Sequence, residues 1–208
     1  TAYTVGGDPN KETSLEIFRE IAQPGADIIE CGLGHGANIG DGGAIQDGTY
    51  RALSNGIKTD DVFDIIKTLR DEFDTNVIIM TYQNKIMSYG EDSFLSKCVE
   101  SKVAGIICVD WPWPLNLNFA AKCKKNNIDF IQLLCPTTSD ERLKLILNDA
   151  HDVVYYISML STTGQKLKVS PSEIKDRYNL IKTIAPKKKC IIGFGITEET
   201  IVDFKDTD

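Results

Sequence analysis

Short runs of consecutive apolar residues recur along the chain and are separated by segments with helical periodicity. The runs are continuous rather than alternating, which is typical of parallel strands that are covered on both faces. Between them, apolar residues return at intervals of three and four, as on one face of an amphipathic helix. Seven strands are predicted, over residues 2–5, 26–30, 76–81, 105–110, 129–134, 152–157 and 189–193.

Five helices are predicted between these strands. The clearest follows Thr59, a suitable N-cap, and Ser139 is a suitable N-cap for another. The other three have apolar faces over 15–22, 94–99 and 174–181. The stripe after Thr59 is formed by Val62, Ile65, Ile66, Leu69 and Phe73, and the one after Ser139 by Leu143, Ile146 and Leu147.

The alternation of strand and helix without a Pro- or Gly-rich linker predicts one α/β domain over residues 1–208. A doubly wound open sheet and a (β/α)8 TIM barrel both fit the pattern. Seven repeated units without a dinucleotide-binding fingerprint favour the barrel. The seven predicted strands are one fewer than a closed barrel of this type needs. We therefore expect either a chain that is incomplete at both ends or a different mode of closure.

Composition excludes several classes of protein. The 208 residues are 42 % hydrophobic and 25 % charged, with a formal net charge of −7, which argues against a nucleic-acid-binding protein. No apolar run approaches the roughly 18 residues that a membrane span requires, and the sequence shows no signal-peptide pattern. None of the six cysteines forms a C-x-x-C pair, which favours reduced thiols in a cytoplasmic protein and no metal site.

Two carboxylates stand at positions that packing does not explain. Glu30 ends an apolar run, so we expect burial to raise its pKa and make it a usable general acid, unless it simply reaches solvent. Asp41 lies in the glycine-rich segment 32–43, which could hold a carboxylate over a pocket, although Asp-Gly is also an ordinary turn. His35 in the same segment is interpreted as solvated. The C-terminal ends of the strands are where a barrel carries its active site.

Two glycine-bearing loops late in the chain indicate a phosphate site. One spans 161–164 after the sixth predicted strand, and the other spans 193–197 after the seventh. Backbone N–H groups freed by glycine suit a phosphate dianion, and many barrels bind phosphate near these strands. Tyr82 and Tyr155 also lie at or in strands, where tyrosines more often belong to the core. The segment 111–114, Trp-Pro-Trp-Pro, is interpreted as exposed aromatics that line a substrate site or face a partner.

These segments, in this order, resemble the tryptophan synthase alpha chain family. The resemblance covers the whole chain and is most specific at three places. Residues 3–9, Tyr-Thr-Val-Gly-Gly-Asp-Pro, resemble the family's first strand. Residues 25–32 resemble its second strand, with Glu30 at the position of the catalytic glutamate. Residues 41–46 resemble the segment of the catalytic aspartate, and Asp41 follows Glu30 by eleven positions without a gap.

The resemblance implies a retro-aldol cleavage of indole-3-glycerol phosphate into indole and glyceraldehyde 3-phosphate, without cofactor or metal. It implies that Glu30 protonates the ring carbon that loses its side chain and that Asp41 holds the indole N–H. Tyr155 and Tyr82 would border the substrate. The phosphate would be bound through backbone groups of Thr163, Gly164, Gly193, Phe194 and Gly195.

The resemblance also implies a beta-chain partner in an α2β2 assembly. Residues 34–38, Gly-His-Gly-Ala-Asn, replace the family's usual Pro-Phe-Ser-Asp-Pro stretch, which helps to contact that partner. The sequence therefore leaves undecided whether this loop contacts a beta chain. Two alternatives remain beside the alpha chain of a complex: an indole-releasing lyase that acts without the partner, and a non-catalytic barrel that binds a phosphorylated ligand.

Overall fold

The chain folds into parallel strands that alternate with helices. The computed structural model describes residues 1–158, 169–193, 196 and 201–208. Its strands are β1 (Ala2–Val5), β2 (Ile28–Gly32), β3 (Asn76–Thr81), β4 (Gly105–Cys108), β5 (Asp129–Phe130), β6 (Gln132–Leu134), β7 (Val153–Ile157) and β8 (Lys189–Gly193).

Eight α-helices lie in the described ranges, and a short 3-10 helix spans Ile201–Phe204. The N-caps of the first, seventh and eighth are Asn10, Ser139 and Ser170, and each side chain accepts a hydrogen bond from a backbone N–H of the first turn. The helices are α1 (Lys11–Ala22), α2 (Gly43–Ser54), α3 (Thr59–Glu72), α4 (Gln83–Tyr89), α5 (Glu91–Glu100), α6 (Leu117–Lys125), α7 (Asp140–Asp149) and α8 (Pro171–Ile184).

All strand pairs are parallel and follow chain order. The order is β1-β2-β3-β4-β5 in one sheet and β6-β7-β8 in the other. Inward-facing residues of both sheets form a common interior, made of Ile78, Met80, Ile107, Ile131, Tyr155 and Ile191. Parallel strands in sequence order around one filled interior confirm the predicted barrel. Among the described residues, no strand lies between β8 and β1.

The predicted strand 129–134 is divided at Ile131. Its first half pairs with β4, through Gly105–Asp129 and Ile106–Phe130, whereas its second half pairs with β7. The stagger of tilted barrel strands accounts for this, because each half reaches a different neighbour. β5 and β6 together therefore occupy one strand position, and the described barrel has the seven predicted positions.

A buried amide pair lies at this division. Asn116, which precedes α6, and Gln132, which begins β6, are 1 % and 2 % exposed. Each side-chain N–H donates to the other's carbonyl oxygen at 3.0 Å. The Asn116 amide also donates to the carbonyl oxygen of Trp111 at 2.8 Å. The pair ties the loop after β4 to the second half of the divided strand.

Most of the predicted helical faces are confirmed, with two corrections. Val99 was assigned to the buried face of α5 but is 48 % exposed, because only Phe94, Leu95 and Cys98 of that stripe reach the core. The N-cap of α3 is Lys58 rather than Thr59, and its backbone N–H donates to Asp61 at 2.9 Å. In the part of the chain that the structure describes, no helix is long and apolar enough to cross a membrane.

Candidate active site

Glu30 lies in the barrel interior, in the middle of β2. Its neighbour in register on β1 is Tyr3. The residue is only 3 % exposed, so its carboxylate does not reach solvent as the alternative interpretation required. The hydroxyl of Tyr155 in β7 donates to Oε2 of Glu30 at 3.4 Å. The barrel thus places an acidic group from one sheet against a phenol from the other.

Burial raises the pKa of Glu30, because a carboxylate in the interior loses its hydration. The hydrogen bond from Tyr155 opposes that rise. Burial prevails, so the pKa of Glu30 lies above the ordinary value for a glutamic acid. This is the property that the sequence predicted for a general acid at this position.

Asp41 lies in the loop between β2 and α2 and is half-buried. Burial raises its pKa, and the neighbouring side chains of Asn38 and Tyr82 oppose the rise by favouring the ionised form. The loop is fixed next to Asp41, where the backbone N–H of Gly40 donates to the Tyr82 hydroxyl at 3.0 Å. Asp41 is therefore held near the end of β3 by a neighbouring tyrosine.

Tyr82 follows β3 and is 4 % exposed. Burial, with the charges of Asp41 and Asp110, raises its pKa to about 12. The ring of His35 lies 5.6 Å from the Tyr82 ring, so His35 packs on the site rather than standing free in solvent. The described contacts of the Tyr82 hydroxyl are to the loop that carries Asp41, and its predicted contact with substrate stays a prediction.

Two tyrosines fill the space left by two glycines at strand ends. The hydroxyl of Tyr155 lies where a side chain on Gly193 would begin, and the hydroxyl of Tyr3 lies where one on Gly32 would begin. Only glycine fits at either position without displacing the phenol. Gly193 also accepts hydrogen bonds at its carbonyl oxygen from the N–H and hydroxyl of Ser158, at 3.0 and 2.8 Å.

Tyr3 is the site residue that the sequence did not single out. Its side chain is partly buried against the interior cluster. Burial raises its pKa, and the charge of Asp41 adds more to the rise than the charge of Glu30 does. Tyr3 lies beside Glu30 in register, and its hydroxyl lies over Gly32, the last residue of β2. A signal was present in the sequence, because Tyr3 begins the first-strand motif.

The Trp-Pro-Trp-Pro segment does not line the site as exposed aromatics. The ring of Trp111 stacks on Phe119 of α6, with centroids 5.1 Å apart. The indole N–H of Trp113 donates to Asp149 of α7 at 2.8 Å, and the guanidinium of Arg142 lies 5.2 Å from its ring centre. Both rings are occupied in packing between helices.

Four predicted phosphate-binding residues, Thr163, Gly164, Phe194 and Gly195, lie outside the described residues. Gly193 is described and stands at the end of β8, where it lies against the Tyr155 hydroxyl. Within the described ranges, no three His, Cys, Asp or Glu side chains are grouped so that they could hold a metal ion. All six cysteines lie in those ranges, and each is a free thiol.

Comparison with known proteins gives a consistent result. A family model described as tryptophan synthase alpha chain matches residues 1–205. The chain is 53 % identical over 207 residues to the tryptophan synthase alpha chain of Pelagibacter ubique, covering 99 % of this chain and 78 % of the relative. It is 37 % identical to that of Methanocaldococcus jannaschii, covering 97 % of this chain and 71 % of the relative.

Solved structures agree with the sequence relatives. A structure of the tryptophan synthase a2b2 complex from Pyrococcus furiosus contains a chain with a TM-score of 0.86 and 34 % identity to this one. The match covers 98 % of this chain and 81 % of that chain.

Proposed function

Because the chain belongs to the tryptophan synthase alpha chain family, we propose that it cleaves indole-3-glycerol phosphate into indole and glyceraldehyde 3-phosphate. The observation that carries the proposal is the pair Glu30 and Asp41. Glu30 is buried in the barrel interior, Asp41 lies half-buried in the loop that follows the same strand, and burial raises the pKa of both carboxyl groups. A retro-aldol cleavage of this kind needs two acids of different proton affinity.

Glu30 supplies the proton in this mechanism. The proton passes to the ring carbon that carries the glycerol phosphate side chain, and the ring becomes a cation. The bond between that carbon and the side chain then breaks, and its electron pair returns to the ring and neutralises the charge. The side-chain hydroxyl becomes the aldehyde as its proton returns to the Glu30 carboxylate. Glu30 is thus acid and then base, and no proton is gained or lost overall.

Asp41 stabilises the cation. Its carboxylate accepts a hydrogen bond from the indole N–H. Positive charge develops at that nitrogen once the ring carbon is protonated. The different burial of the two carboxyl groups suits them to different roles in the reaction. Glu30 is 3 % exposed, whereas Asp41 is half-buried. Asp41 also has the side chains of Asn38 and Tyr82 to support its ionised form. Asp41, the less buried of the two, is therefore proposed as the acid that is ionised during the reaction.

The remaining substrate contacts follow from position. Tyr155 donates a hydrogen bond to Glu30 and is proposed to border the glycerol part of the substrate. Gly193 at the end of β8 is proposed to bind the phosphate through its backbone, together with Thr163, Gly164, Phe194 and Gly195. Gly193 is proposed for this role by its place at the end of β8, directly before the predicted phosphate loop.

We further propose that the chain binds a tryptophan synthase beta chain through the C-terminal face of the barrel. The solved Pyrococcus furiosus relative belongs to an a2b2 complex. Three apolar side chains stand exposed on segments that follow neighbouring strands: Ile39 after β2 at 76 %, Met87 after β3 at 53 %, and Leu115 after β4 at 72 %. Large apolar side chains left exposed in this way support a protein interface. The six free thiols favour a cytoplasmic location.

The direct test of the function is to supply indole-3-glycerol phosphate and to measure indole and glyceraldehyde 3-phosphate together. Equal amounts of the two products are expected, with a large loss of both in Asp41→Asn. Release of indole without the aldehyde, or full activity in Asp41→Asn, would contradict the proposed chemistry.

The partner is tested by co-purification with a beta chain. Leu115→Lys is expected to weaken the complex roughly tenfold or more, because it places a charge in an apolar interface. Leu145→Lys is the matched control, since Leu145 is 55 % exposed on α7, away from the strand ends. Equal binding by the two variants would place the partner elsewhere.

A further inference from the structure

Helix α2 packs against the C-terminal end of β1. At Gly48, in the middle of the helix, an added Cβ would lie 2.9 Å from a carboxylate oxygen of Asp8 and 3.4 Å from the side chain of Val5. Val5 is the last residue of β1, and Asp8 belongs to the loop that follows it. Glycine at position 48 therefore lets the helix approach the end of β1 without displacing the Asp8 carboxylate. Since β1 and β2 are parallel, α2 lies at the end of the barrel where the loop of Asp41 begins.

The last turn of α2 is bonded to the loop after β1. The guanidinium of Arg51 donates two hydrogen bonds to the Asp8 carboxylate, from Nε at 3.0 Å and from Nη2 at 2.7 Å. Asn55, the C-cap of the helix, donates from its side-chain amide to the carbonyl oxygen of Pro9 at 2.7 Å. An arginine that bonds a carboxylate through two N–H groups fixes its orientation as well as its distance, whereas a lysine acts as a point charge.

The first turn of α2 is bonded to Asp41. The side-chain amide of Gln46 donates to the backbone carbonyl oxygen of Asp41 at 2.9 Å. The backbone N–H of Asp41 donates to the carbonyl oxygen of Asn38 at 3.1 Å. The preceding N–H, that of Gly40, donates to the Tyr82 hydroxyl at 3.0 Å. Because α2 begins only two positions after Asp41, the place of the helix determines the place of the Asp41 backbone.

We infer that Arg51 and Gln46 are positioning residues, which set the place of Asp41 through α2. Arg51 fixes the last turn of the helix against Asp8, and Gln46 bonds the first turn to the Asp41 backbone. The consequence for catalysis rests on the proposed function, in which the Asp41 carboxylate accepts a hydrogen bond from the indole N–H. A displacement of about 1 Å at a reacting group can lower the rate about a hundredfold.

The first test measures hydrogen exchange of the backbone amides by NMR in the parent chain, in Arg51→Lys and in Gln46→Met. Lysine cannot form both hydrogen bonds of Arg51, and methionine has no N–H to donate. Exchange at the amides of Asp41 and Gly40 is expected to become several-fold faster in both variants, because the loop then opens locally more often. Unchanged exchange at these two amides, or faster exchange throughout the chain, would overturn the inference.

Arg19→Lys is the matched control. Arg19 also donates two hydrogen bonds to one carboxylate, that of Glu72, and this pair joins the last turns of α1 and α3. The Arg51 side chain is 53 % exposed and that of Arg19 is 40 % exposed, so we expect either substitution to change overall stability little. Exchange at the Asp41 amide should stay at the parent rate in Arg19→Lys. An equal rise there would overturn the inference.

Steady-state kinetics of indole release test the consequence for catalysis. Arg51→Lys and Gln46→Met are expected to lower kcat roughly tenfold and to leave KM nearly unchanged, because the contact made by Asp41 strengthens in the transition state. Arg19→Lys should keep the kcat of the parent. Undiminished kcat in both α2 variants, or a loss that appears in KM alone, would overturn the inference. The exchange measurement needs no turnover, so a parent chain that releases no indole would count against the proposed function alone.

Discussion

The hydroxyl of Tyr155 in β7 donates to Glu30 in β2 at 3.4 Å, although 125 positions separate the two residues along the chain. The contact spans the barrel interior and joins its two sheets at the proposed general acid. It is possible because Gly193, beside Tyr155 on β8, has no side chain. The acid is therefore supported by a phenol whose place depends on a glycine in a third strand.

Buried Glu30 should make stability depend on pH. The pKa of its carboxyl group is raised in the folded state. The contribution of Glu30 to the free energy of unfolding is therefore complete below the unfolded-state pKa of about 4.3, and it is lost as pH rises through the folded-state pKa. The Glu30→Gln variant has no ionisable group at this position, so its stability does not fall with rising pH for this reason. We expect its free energy of unfolding to exceed that of the parent at about pH 8 and the difference to shrink towards about pH 4. Urea unfolding at both pH values measures this, and a constant difference would contradict burial of the charge.

Substitution of Gly193 should displace Tyr155. A Cβ at this position would overlap the phenol, so Gly193→Ala is expected to lower the free energy of unfolding by about 1–3 kcal/mol. It should also break the contact between Tyr155 and Glu30 and reduce indole release. Gly36→Ala is the control, because a Cβ at Gly36 would meet nothing within 4 Å. Chemical denaturation compares the two variants, and similar stability would show that Tyr155 adjusts without cost.

The buried amide pair should be strongly coupled. Gln132→Leu leaves Asn116 without its reciprocal partner, which should cost about 1–3 kcal/mol of unfolding free energy. Asn116→Leu with Gln132→Leu should cost less than the sum of the two single changes, because no amide is then left unpaired. Asn118→Leu, at an exposed amide of the same helix, provides the control. Additive costs in the double-mutant cycle would contradict the coupling.

Continuous apolar runs predicted the strands because each strand is buried on both faces, and the barrel follows from their order. The division at Ile131 was not predicted, since it depends on which neighbour each half of the strand reaches. Helix α2 was missed because its buried face consists of Gly48, Thr49 and Ala52, which give almost no apolar signal. The single-domain assignment of residues 1–208 stays a prediction.

The site was predicted in part. Glu30 was recognisable because a carboxylate at the end of an apolar run is unusual, and its burial confirms the reason for choosing it. Tyr3 begins the first-strand motif, but it was not singled out because its fit against Gly32 joins two strands, which the motif alone does not show. The roles of Glu30, Asp41, Tyr82, Tyr155 and the phosphate loops stay proposals until they are tested on the protein.

The measurement that tests the central claim most directly is indole release from indole-3-glycerol phosphate by the parent chain and by Glu30→Gln, with a beta chain present in both assays. We expect release by the parent and a fall of about 10²–10⁴-fold in the variant, the usual effect of removing a general acid. Circular dichroism should show both proteins folded. Undiminished release by folded Glu30→Gln would contradict the role of Glu30, and no release by the folded parent would contradict the lyase itself.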